Sequence, residues 1–63
     1  MELRAAREQS GKTQAQVAKK SNISEKTYQS YEYDKREPGV RTAIRIADAL
    51  GVKSYEEFKK LFS

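Results

Sequence analysis

The 63 residues leave room for one domain, and a chain this short exposes so much surface that its core must be small. The absence of Cys and His excludes disulfide staples, Cys/His zinc sites and a histidine general base, so packing and helix capping must hold the fold. Thirteen Lys/Arg against nine Asp/Glu give a net charge of +4, which suits a polyanion partner but is shared by many ordinary basic proteins. No apolar run approaches the length of a membrane span or a signal-peptide core, and the expected location is cytoplasmic.

With 35% charged residues the chain could be a disordered tail, but its hydrophobic periodicity is helical. Leu3 and Ala6 mark a weak stripe on an N-terminal helix, which Ser10-Gly11 stops because Gly takes the left-handed conformation at a helix end. Thr13 and Gln16 have capping-box spacing and open a helix from Gln14 to about Lys20. Ser21-Asn22-Ile23 interrupts it, and Ser24 is a good N-cap for a further helix through roughly Tyr33. Pro38-Gly39 separates this from a fourth helix, whose apolar positions Val40, Ala43, Ile44, Ile46, Ala47 and Leu50 follow helical spacing up to the stop at Gly51. Ser54 and Glu57 repeat the capping-box spacing ahead of Tyr55, Phe58, Leu61 and Phe62 on a fifth helix. No strand pattern, repeat or linker interrupts the series, so the predicted fold is all-α and compact.

The informative feature is the pair of short helices around Asn22. Two helices joined by a three- or four-residue turn form the helix-turn-helix, whose second helix enters the DNA major groove. For the pair to cross closely, the first must offer small or apolar residues, as Val17 and Ala18 do. Ile23 can plug the core from the turn, and Tyr28 and Tyr31 can return apolar surface from the second helix. One turn position must tolerate positive φ, and Asn22 is the best non-glycine choice there.

The stretch Gln14-x-x-Val17-Ala18-x-x-x-Asn22-Ile23-Ser24 resembles the helix-turn-helix core of the Cro/cI (phage-repressor, XRE-type) family. Downstream, Glu32-x-Asp34-Lys35-Arg36-x-Pro38 resembles the family's Glu-x-Gly-Lys-Arg-x-Pro loop, and Ile46-Ala47-x-Ala49-Leu50-Gly51-Val52 its fourth helix and stop. The chain departs from the family pattern at Asn22 and Asp34, which replace customary glycines, and at Lys12, which replaces a usual Leu. Ala6 and Ala43 are small where Leu is common, and Lys53 looks like an insertion. The resemblance implies a compact five-helix lambda-repressor-like domain over residues 1–63, with the helix-turn-helix at about 14–33. It also implies sequence-specific binding of double-stranded DNA, a repressor's role, no enzymatic activity and no cofactor.

On a helical wheel of residues 24–33, Ser24, Tyr28 and Tyr31 share one face, while Lys26, Gln29, Ser30 and Tyr33 lie opposite, with Glu25 and Thr27 at the edges. Lys can donate to guanine, Gln can pair two hydrogen bonds with adenine, Ser reads either, and Glu accepts from cytosine N4. The family places base contacts near the start of this helix, so Glu25, Lys26, Gln29 and Ser30 are the expected base readers. Phosphate contacts are expected from Thr13 and Gln14 at a helix start, from Lys35 and Arg36 in the loop, from Arg41 at the start of the fourth helix, and from the Tyr33 hydroxyl. Arg7 and Glu32 fall where the family forms a salt bridge between its first and third helices.

Gly11-Lys12-Thr13 also looks like the tail of a nucleotide-binding P-loop. The first required glycine is Ala6, however, no strand precedes it, and 63 residues cannot build the supporting parallel sheet. A more serious alternative is an antitoxin-like or scaffold module that presents aromatic residues such as Phe58 and Phe62 to a protein partner. Because one recognition helix reads only a few base pairs, a weak homodimer completed on DNA is expected, in contact through residues 35–39 and the last helix.

Overall fold

A computed structural model describes residues 2–62. Five helices follow one another: α1 (Leu3–Gln9), α2 (Gln14–Lys20), α3 (Glu25–Glu32), α4 (Val40–Ala49) and α5 (Tyr55–Phe62). This is the all-α helix-turn-helix architecture expected from the periodicity, with the five helix positions as predicted.

The connections are short because four of the helices end in the same way. After α1, Gly11 N–H bonds Glu8 O and Lys12 N–H bonds Arg7 O, with Gly11 at φ 72°. After α2, Asn22 N–H bonds Lys19 O and Ile23 N–H bonds Ala18 O, with Asn22 at φ 60°. The pattern repeats after α3 at Asp34 (φ 58°) and after α4 at Gly51 (φ 76°). Each is a Schellman closure, in which a left-handed residue turns the chain sharply while the last carbonyls stay bonded. Asn and Asp tolerate the left-handed region better than other side chains do, which is why they stand where the family customarily has glycine. After α2 and α4 the closure also drops an apolar residue, Ile23 or Val52, against the core.

The helix starts are equally local. Thr13 and Gln16 form the reciprocal capping box on α2, Thr13 N–H donating to Gln16 Oε1 (2.8 Å) and Gln16 N–H to Thr13 Oγ1 (3.1 Å). Ser24 accepts from Thr27 N–H and caps α3. At α5 only half of the expected box forms: Ser54 Oγ accepts from Glu57 N–H, but the Glu57 carboxylate accepts from the Ser54 hydroxyl at 3.3 Å and not from the backbone N–H. Gly39 precedes α4 without a side-chain cap.

Leu3, Val17, Tyr28 and Ile46 are wholly buried and bring α1, α2, α3 and α4 into one core, which Leu61 of α5 closes. There Glu2 N–H donates to Leu61 O, which ties the start of α1 to the last turn of α5. The apolar stripe of α4 is wider than the surface that covers it. Val40 is 76% and Ile44 48% exposed, and the facing Tyr55 of α5 is itself 73% exposed. Two polar atoms are buried without a partner among the described residues, Ser21 Oγ and Tyr28 Oη.

Candidate nucleic-acid interface

The turn between α2 and α3 sets how the recognition helix stands on the domain. Val17 and Ala18 on α2 and Tyr28 and Tyr31 on α3 bury their surfaces together, so α3 is held along one side and the other side is left outward. Glu25 and Lys26 lie exposed in its first turn, and Gln29 and Ser30 lie half-buried one turn later. The Ser30 hydroxyl donates back to Thr27 O at 2.6 Å, which leaves its oxygen as an acceptor. Tyr33, the residue that ends α3, is 53% exposed.

Behind this face stands a nearly dry ion pair. The Arg7 Nε donates to Glu32 Oε2 at 2.6 Å, and the guanidinium also donates to Lys12 O (3.0 Å) and Glu32 Oε1 (3.4 Å). The Glu32 side chain has no exposed surface and that of Arg7 is 13% exposed. Burial works to raise the Glu32 pKa, but the hydrogen bonds from Arg7 and Gln14 and the guanidinium charge outweigh it and hold the carboxyl below its usual range. The hydrogen bond to Glu32 raises the Arg7 pKa against the opposing effect of burial. Beside the pair, burial pushes the Tyr28 phenol up.

Gln14 is expected at a phosphate and Gln29 at a base. Their side chains are joined: Gln14 Nε2 donates to Glu32 Oε1 at 2.9 Å, and Gln29 Nε2 donates to Gln14 Oε1 at 3.1 Å. A longer contact, 3.5 Å, runs from Gln29 Nε2 to Glu25 Oε2. One chain of hydrogen bonds therefore leads from the buried ion pair to the outward face of α3. Nothing in the residue spacing signals this chain, since 15 and 18 positions separate its members.

The expected phosphate-contacting residues are mostly exposed. Thr13 is exposed at the start of α2, and its capping hydroxyl accepts from Gln16 and still has a proton to donate. Lys35 and Arg36 are exposed in the loop after α3, where both backbone N–H groups donate to Ser30 O and so tie the loop to the recognition helix. Arg41 is exposed in the first turn of α4, an end with no acidic residue, where a cation opposes the helix dipole. Lys19 was not among the sequence candidates, yet it lines a depression with Ala15, Asn22 and Glu25 at the start of α3.

Among the described residues no group of His, Cys, Asp and Glu could hold a metal ion, and no helix is long and apolar enough to cross a membrane. Searches of the curated proteins and of the solved structures returned no match. A family model described as "Helix-turn-helix" matches residues 3–58, which takes in α1 to α4 and the first half of α5. The outward α3, its short closure from α2 and the loop tied to its end are the parts by which such domains hold DNA, and with that match the chain belongs to the Cro/cI-type helix-turn-helix family of DNA-binding domains.

Proposed function

We propose that this domain is a transcriptional repressor that acts in the cytoplasm, reading one duplex sequence with residues 24–33 in the major groove. The supporting observation is the outward surface of α3, where Glu25 and Lys26 are exposed and Gln29 and Ser30 half-exposed, bordered by the basic loop. Glu25, Lys26, Gln29 and Ser30 face base edges, while Thr13, Gln14, Tyr33, Lys35, Arg36 and Arg41 meet phosphates. A phosphate beside Arg41 would also relieve the cation at the start of α4. The domain performs no catalysis in this reading.

Specificity from so small a surface calls for two copies. The apolar groove lined by Glu37, Pro38, Val40, Ala43, Phe58 and Phe62 joins the loop to α5, and a second copy seated there forms a weak dimer completed on DNA. With a longest Cα extent of 27 Å, two domains fit on one face of the duplex with half-sites about 34 Å apart.

Selection from a random duplex pool tests the reading directly. A bound sequence should emerge, outcompete random duplex and lose affinity as a power of salt concentration. If nothing is enriched and no duplex is held at low salt, the reading fails. Equal affinity for a full site and an isolated half-site, with one protein on each, would remove the dimer.

A further inference from the structure

The hydrogen-bond chain behind α3 has a direction, set by chemistry at both ends. Glu32 is fully buried against Arg7, and its depressed pKa keeps it a carboxylate, a group that can only accept. Gln14 must therefore present its NH2 to Glu32 and turn its carbonyl oxygen toward Gln29, as the 2.9 Å contact shows. Gln29 must in turn present its NH2 to Gln14 Oε1, at 3.1 Å. The second proton of that NH2 lies toward Glu25 Oε2 at 3.5 Å, again an acceptor-only group when ionised. Flipping either amide would set oxygen against oxygen at one or more of these contacts. The amide orientation is thus set by the buried Glu32 carboxylate at one end, and the longer contact to the exposed Glu25 at the other end agrees with it.

This leaves Gln29 with one donor proton directed inward to Gln14, the other toward Glu25 one turn back on its own helix, and Oε1 taken by no donor among the described residues. A free glutamine reads adenine with both ends of its amide, donating to N7 and accepting from the N6 amine. Gln29 is not free in this sense. We infer that Gln29 is a one-way reader that contacts its base pair only as an acceptor, taking an exocyclic amine (adenine N6 or cytosine N4) and ignoring purine N7, with Gln14 as the residue that positions it. The inference rests on the proposed DNA reading and specifies what one side chain does within it. It also gives the Arg7–Glu32 pair a part in specificity, since the ionised carboxylate starts the chain.

The test uses the duplex selected by the full chain and the pair at which the Gln29→Ala variant relaxes the preference. Two modified duplexes are compared at that pair, one with a 7-deazapurine, which removes N7, and one lacking the exocyclic amine. Each is titrated with the parent protein and with Gln29→Ala, so that the cost of weakened base pairing cancels. For the parent, N7 removal should change affinity less than about twofold, while amine removal should cost about fivefold more than it does for Gln29→Ala, the worth of one hydrogen bond. Gln14→Ala frees the amide, so this variant, checked as folded by its helical circular dichroism, should become sensitive to N7 removal. Parent binding that falls about fivefold on N7 removal would overturn the inference, as would a Gln29→Ala variant that relaxes no position. If selection enriches no duplex, the DNA reading itself has failed, a different result from a bound site with the wrong N7 response.

Discussion

Removing Arg7 is the sharpest probe of what holds the recognition helix in place. Arg7→Ala deletes the 2.6 Å contact to Glu32 together with the bond to Lys12 O, leaving a carboxylate with no exposed surface and Gln14 as its remaining hydrogen-bond donor. Breaking a buried pair on one side costs about 3–5 kcal/mol, because the surviving charge keeps its desolvation penalty. Arg7 retains some exposure and water can enter the space it vacates, so the lower end of that range, about 3 kcal/mol, applies. A domain of this length has roughly 5 kcal/mol in total, so the variant should lose most of its stability. Urea unfolding followed by helical circular dichroism would show the midpoint falling by about 3 M at a slope of about 1 kcal/mol per M. The double variant Arg7→Met/Glu32→Leu should recover much of the loss, since neither charge is then stranded. A loss below about 1 kcal/mol for Arg7→Ala would refute the reasoning, as it would mean that water or Gln14 satisfies Glu32 equally well.

Other perturbations follow from single observations. Tyr28 Oη is buried beside the Glu32 carboxylate without a well-aligned hydrogen bond, so Tyr28→Phe should change stability by less than about 1 kcal/mol; a thermal melt showing a larger loss would reveal a full bond from that hydroxyl to Glu32. Glu32 has a folded pKa below its unfolded value of about 4.3, so its contribution is complete above that value and lost as pH falls through the folded pKa. Arg7, raised in the folded state, stays charged throughout the acid range, so urea midpoints of the parent should fall from about pH 5 to 2 more steeply than those of Glu32→Gln. Asn22 sits at φ 60°, so Asn22→Ala should cost about 1–2 kcal/mol and Asn22→Gly much less in equilibrium unfolding; equal losses would mean that the side chain, not the backbone, matters there. On DNA, Lys26→Ala should lose about 1–3 kcal/mol at the selected site and relax one or two positions, whereas Lys35→Ala should weaken all duplexes alike and reduce the salt slope by about 1; identical profiles in titrations across salt would dissolve the division between readers and positioners.

The features that were legible in the sequence are those encoded within a few residues. Thr13 with Gln16, Ser24 with Thr27 and Gly11 and Gly51 at their helix ends act through bonds spanning three to five positions, so local spacing was enough to place all five helices. Asn22 could be read for the same reason, because the turn needed a left-handed residue and few side chains accept that conformation. The sequence also identified Arg7 and Glu32 as facing positions, though only through family likeness, as 25 residues separate them. Tertiary structure decided the rest. Whether Val40 and Ile44 are core or surface depends on where α5 crosses α4, and helical spacing cannot report how far a covering helix extends. The joining of Gln14 to Gln29 depends on how closely α2 and α3 cross and on the buried charge of Glu32, so the orientation of the recognition face exists only once three helices have packed.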